Sequence, residues 1–117
     1  MHNITSPRTD DSAIEQEIQA KGLTAPRVTP ADIEANIVAE YGFTAEQATR
    51  GCPQRDELKL LTFCVLVLKN GFTVTGESAC ASPENFDAEI GYKIAKANAV
   101  QKIWPLMGYA LKERLSA

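Results

Sequence analysis

Nucleophilic catalysis asks for a thiol or hydroxyl beside a base that can take its proton. The chain offers three cysteines, Cys52, Cys64 and Cys80, and one histidine, His2. His2 stands at the N-terminus, ahead of any folded element the sequence predicts, so neither a Cys–His nor a Ser–His pair assembles. Cys64 sits inside an apolar run and reads as an inert packed thiol. Cys80 and Ser82 are placed at the end of a strand, where they are more accessible. Glu77 could serve as a carboxylate base, yet an isolated Glu on a sheet face is ordinarily just solvated. No pair of roles is complete, so no catalytic residue is assigned and a non-enzymatic protein is expected. Metal binding fares no better. The cysteine count is odd and widely spaced, and Asp10-Asp11 and Asp87-Ala88-Glu89 lack the ligand number and loop glycine of a calcium site. Neither metal nor cofactor is expected.

Binding chemistry is better supplied. Thr62, Cys64, Thr73, Thr75 and Glu77 fall in two β-rich runs, where hydroxyls and a carboxylate on a rigid ribbon could hydrogen-bond a ligand. Lys93 falls in the angular sector of an apolar helical stripe ending at Trp104. It reads either as a pair with Glu89 at i,i+4, as a snorkelling stem, or as a partly buried cation facing an anionic ligand. Thr73, Thr75, Glu77, Lys93 and Trp104 are therefore the candidate ligand-binding set, with a nucleotide-type molecule held between subunits. Lys96 and Lys102 share the helix with Lys93, but their spacing spreads them around it. With a net charge of −3, nucleic acid is an improbable partner.

One domain must position these residues, because 117 residues leave no room for a second core. Charge divides as −1 over residues 1–28, −3 over 29–56 and +1 over 57–117. The N-terminal residues mix acids and bases without an apolar core, so no secretory signal is read. The longest apolar run, Leu60–Leu68, is too short to span a membrane. Residues 1–28 read as a tether holding one short helix, with Asp11 or Ser12 as its cap, Ile14 and Ile18 as its apolar pair and Gly22 as its stop. Thr29, Pro30 and Asp32 form the start of a helix over 30–41 whose stripe is Ile33, Ile37 and Val38. Thr44 and Gln47 are spaced as a second capping box over a turn or two.

Asn70-Gly71 between two β-rich runs predicts a type I′ hairpin with strands at about 60–69 and 72–81. That turn pairs Val67 with Val74, Val65 with Gly76 and Phe63 with Ser78, making these the core face and leaving Leu66 and Leu68 on a mixed face. The first strand is apolar on both sides, which implies cover on both. Ser82-Pro83 then opens a helix over 83–104, with Phe86, Ile90, Ile94, Ala97, Val100, Gln101 and Trp104 as its apolar stripe. Pro105 is expected to end it, leaving a short C-terminal helix. On another side Gly91, Ala95 and Ala99 recur at i+4. With Leu66 and Leu68, they are the candidate contacts to a second subunit. The fold class is α+β. The hairpin needs another strand or subunit to complete its sheet, since a lone ribbon is marginal, and a homo-oligomer is expected.

The run LTFCVLVLKNGFTVTGESACASPENFDAEIG, with KIA, NAVQKIWPLMGY and KERL after it, resembles a small tailed-phage and prophage family named for the gene-49 product of one phage and the gene-66 product of another. The resemblance covers about Val28–Leu115. It implies a viral or prophage origin and action in the host bacterial cytoplasm. It carries no catalytic residues. The expected function is thus a phage accessory protein that binds a host factor, either a host protein or a nucleotide-type defence signal. A purely structural homo-oligomer is the alternative, and a small hydrolase-type enzyme the outsider.

Overall fold

The structure, a computed structural model, describes residues 11–117. The predicted tether thus lies outside the described residues up to Asp10. Helix α1 (Asp11–Ala20) and helix α2 (Pro30–Asn36) precede strand β1 (Ile37–Thr44), the single turn α3 (Ala45–Ala48) and a 3-10 turn at Asp56–Leu60. Strands β2 (Leu61–Leu68) and β3 (Thr73–Ala79) follow, then a 3-10 turn at Pro83–Asn85 and the long helix α4 (Ala88–Leu115). The three strands form one antiparallel sheet in the order β1-β2-β3. This is an α+β fold whose sheet is completed by a strand of its own chain.

The capping box forms as its residues require. The Thr29 hydroxyl accepts from the Asp32 N–H at 3.1 Å and the Asp32 carboxylate from the Thr29 N–H at 2.9 Å. The helix it starts stops at Asn36, five residues short of the predicted end. Ile37 and Val38 belong to β1 instead, because an i,i+4 apolar pair fits either element and a free edge of β2 was there to be paired. Asn36 marks the switch, with its backbone and side-chain oxygens both accepting from the Lys69 N–H.

The hairpin forms where Asn70-Gly71 places it, but one residue out of the predicted register. Only Gly71 takes a positive φ, at 90°. A type I′ turn needs two such residues, so the loop is the three-residue kind, Lys69-Asn70-Gly71, closed by the Leu68 N–H on the Phe72 carbonyl at 2.9 Å. Val67 consequently pairs with Thr73, Leu66 with Val74, Cys64 with Gly76 and Thr62 with Ser78. A one-residue slip exchanges the two faces. The core face is Thr62, Cys64, Leu66 and Leu68 with Val74, Gly76 and Ser78, all buried. Phe63, Val65 and Val67, the predicted core, point the other way.

Helix α4 covers that inner face with its small residues. Gly91, Ala95, Ala99 and Ile103 are its buried positions, one turn apart in a single row. A Cβ added at Gly76 would lie 2.1 Å from the Ala95 carbonyl oxygen and 2.4 Å from the Ala99 nitrogen. The helix backbone therefore rests directly on the middle of β3. Leu66, Leu68, Gly91, Ala95 and Ala99, predicted to meet another subunit, meet each other's elements within one chain. Ile90, predicted on the core stripe, is 41% exposed. Ile33 of α2 closes the same core at 1% exposure.

Two expectations for α4 are also corrected. Ser82 makes no side-chain cap bond, and the helix starts six residues later, where the Asp87 carboxylate accepts the Ile90 N–H at 3.0 Å. Pro105 does not end it. Ile103 and Met107 pack against the core on either side of the proline, and the Trp104 indole N–H is tied to the Asp11 carboxylate at 3.2 Å. These anchors hold the missing backbone bond in a continuous helix despite its usual penalty.

Candidate functional site

The five residues expected to gather around a ligand are not brought together. Thr73, Thr75 and Glu77 alternate on β3, and each pairs with an outward residue of β2, so their side chains lie on the outer face. Helix α4, carrying Lys93 and Trp104, lies across the inner face. The Lys93 ammonium is largely exposed and pairs with Glu89 at 3.1 Å, which realises the i,i+4 alternative. Trp104 is half-buried and serves as the dock for α1, alongside Gln101, whose amide also donates to Asp11. The bidentate pair of Arg27 on Glu15, at 2.6 and 2.8 Å, fastens α1 one turn further along the same face. Cys80, expected to be accessible, is buried at 6% exposure with its thiol donating to the Ser82 carbonyl.

What the outer face does present is a continuous apolar surface. The register sets Tyr41 beside Val65, Phe43 beside Phe63 and Ala39 beside Val67, and directly opposed residues share a face. The Phe43 and Phe63 rings stack at 5.7 Å between centroids. Val65 and Val67 are half-buried, while Tyr41 is 59% exposed. Thr73, Thr75 and Glu77 border this surface along β3. The main core gathers α2 and α4 on the inner side. The α4 residues that pack deepest, Gly91, Ala95, Ala99 and Ile103, sit against that same side. The apolar outer residues of β2 are thus the ones the core leaves uncovered. Sequence reasoning assigned this face to the core, and the missed signal was the choice between a two- and a three-residue loop at Asn70-Gly71.

A second cluster lies on the inner face at the β1 edge, at Glu40, which the sequence did not single out. The Tyr92 hydroxyl donates to one Glu40 oxygen, and the Lys96 ammonium stands 2.9 Å from the other. Tyr92 first and Lys96 second hold the Glu40 carboxyl below the ordinary carboxylate range. Burial, followed by the bond to Glu40, pushes the Tyr92 phenol well above its usual value. Beneath them the Cys64 thiol donates to the Tyr92 oxygen at 3.8 Å, and burial pushes that thiol up as well. Such a thiol resists ionisation and is a poor nucleophile. The Tyr92 ring lies over Gly42, where an added Cβ would meet its Cε1 at 2.2 Å.

Next to this ring is a cavity of about 350 Å³ bounded by the end of β1, α3, the start of β2 and the first turns of α4. Thr62 is part of its wall. Its hydroxyl is buried and has no hydrogen-bond partner among the described residues. Buried hydroxyls nearly always find one, and going without costs about 1–3 kcal/mol.

No group of three or more His, Cys, Asp or Glu side chains among the described residues could hold a metal ion. Nor is any described helix long and apolar enough to cross a membrane. No curated protein and no solved structure matches the chain. A family model does match, over residues 28–115. That span takes in α2, the whole sheet and α4 to its last residue. The chain belongs to the phage protein (N4 Gp49/phage Sf6 gene 66) family.

Proposed function

We propose that this phage-family protein is an accessory protein that binds a host protein in the bacterial cytoplasm, without turnover, and that the outer face of the sheet is its docking surface. The observation that carries this reading is the apolar surface of Tyr41, Phe43, Phe63, Val65 and Val67, which the core leaves uncovered. Apolar patches rimmed by polar residues mark interaction sites on monomeric proteins. Thr73, Thr75 and Glu77 supply such a rim. Binding without catalysis is supported by the chemistry of the thiols. Two of the three thiols, Cys64 and Cys80, are buried, and the Cys64 thiol is pushed up, away from the thiolate form; Cys52 is exposed in the loop after α3. A protein partner is favoured over a nucleotide-type signal on the predicted residues, because Lys93 and Trp104 stand apart from the β3 hydroxyls.

A second reading, a structural homo-oligomer, is favoured by the low charge of the same face. Glu77 is its one charged residue among those that the strand register sets there. Interfaces between copies are more apolar than transient ones. A photo-crosslinking residue at Thr75 separates the readings in bacterial cells, with another at Lys112 near the end of α4 as control. The host-binding reading predicts a crosslink to one host protein from position 75 and not from 112. Crosslinks only to a second copy would support the structural oligomer. The same pattern from both positions would refute the docking face.

A further inference from the structure

We propose that the cavity beside Tyr92 is a binding site for a small, uncharged, planar molecule bearing a hydrogen-bond acceptor, with Thr62 as its recognition residue. The proposal does not rest on the outer-face reading, although Phe43 borders both surfaces. At about 350 Å³ the cavity falls at the low end of ligand sites, which run from about 300 to 1,000 Å³. That is room for one or two rings. It is lined by Gly42, Phe43 and Thr44 at the end of β1, by Gln47 and Thr62, and by Ala88 and Tyr92 of α4. The Tyr92 ring, which Gly42 lets lie against the strand, brings an aromatic surface on which a flat molecule can stack.

The polar groups in this wall are few and fixed. The Gln47 Oε1 accepts from the Thr44 N–H at 2.9 Å, which leaves its amide nitrogen as a donor. The Tyr92 oxygen donates to Glu40 and accepts from the Cys64 thiol, so it is engaged within the protein. Thr62 adds a hydroxyl that can donate or accept and has no partner among the described residues. The Gln47 donor and the Thr62 hydroxyl, which can also accept, together match a ring that carries a carbonyl next to an N–H.

Charge is selected against. None of the residues lining the cavity carries a formal charge near neutral pH. Two carboxylates beside its lining, Glu40 bonded to Tyr92 and Asp87 next to Ala88, repel anions, and both are already engaged. Glu40 holds Tyr92 and Lys96, and Asp87 caps α4. Neither is left to neutralise a buried cation.

Full-length protein titrated with matched neutral and anionic probes tests this, with nicotinamide against nicotinate and uracil against orotate, read by heteronuclear NMR and calorimetry. A neutral probe should bind, shift the amides of Gly42, Thr44, Gln47 and Ala88, and bind at least about tenfold tighter than its carboxylate. Thr62→Val keeps the shape and removes the hydroxyl. It should lower the affinity about tenfold or more, equivalent to about 1.4 kcal/mol, and at the same time raise the melting temperature of the free protein. Thr62→Ser, which keeps the hydroxyl, should retain binding, and Thr75→Val on the outer face should leave it unchanged. The proposal is overturned if no neutral probe binds at millimolar concentration. It is equally overturned if binding survives Thr62→Val, or if that change lowers the melting temperature.

Discussion

The two faces of this sheet are built by opposite rules. On the inner face, glycine and alanine allow a helix backbone to lie on a strand, and nothing larger fits at Gly76. On the outer face, valines, phenylalanines and threonines stand beside one another with no element of the main core against them. A face packed to backbone contact has no room for a partner. The uncovered face, by contrast, gives up nothing in folding when a partner takes it. Folding specificity is therefore concentrated inside and recognition outside, and substitutions separate the two.

The largest effect falls on the inner face. Gly76→Val should unfold the domain or destabilise it by about 3–4 kcal/mol, because α4 must lift away from β3. The equivalent change two positions earlier, Val74→Ile, adds a methylene to a side chain that is already part of the core. It should cost about 1 kcal/mol when measured by urea unfolding.

Gly42→Ala comes next, at about 1–3 kcal/mol, since its Cβ would strike the Tyr92 ring. Combining it with Tyr92→Ala should cost less than the sum of the two single changes, as expected for groups that compete for one space.

Pro105→Ala should stabilise α4 by about 1–3 kcal/mol, restoring the missing backbone bond. A smaller gain would mean that the proline's rigidity in the unfolded chain offsets most of its penalty.

Acidity gives a smaller signal. The folded state depresses the Glu40 carboxyl, chiefly through Tyr92 and then Lys96. Its contribution is thus present above the unfolded carboxyl value and is lost as pH falls through the lower, folded one. The side chain is 39% exposed, so solvent screening holds the effect to about 1 kcal/mol or less. Glu40→Gln should flatten that part of the acid limb of an unfolding curve, and salt should shrink the difference between the two proteins.

The outer face was hidden in the sequence by one turn. Asn70-Gly71 announced a hairpin, and the hairpin is there. Yet Asn-Gly also suits a three-residue loop with its glycine at positive φ, and that single added residue moved Phe63, Val65 and Val67 from core to surface. Strand β1 was concealed because Ile33, Ile37 and Val38 make a helical stripe as readily as a helix followed by a strand. Only the pairing of Ile37–Thr44 with β2, a contact distant in sequence, decides between them. The row Gly91, Ala95, Ala99 was visible, as was a glycine in mid-strand at Gly76. Read together, they are the two halves of one close approach, and that pairing would have located the inner face. The family was legible because residues 28–115 carry a long, specific run. Thr62 was legible as one of several hydroxyls on the hairpin that could bond a ligand, and only its burial without a partner among the described residues sets it apart from Thr73 and Thr75.

The most direct test of the division between the faces is Val65→Lys at the centre of the outer surface, measured for stability and for Thr75 crosslinking in the same cells. The account predicts an unfolding midpoint within about 0.5 kcal/mol of the parent protein and loss of the host-protein crosslink. A variant that unfolds would place Val65 in the core. A stable variant with its crosslink intact would show that the outer face is not the docking surface.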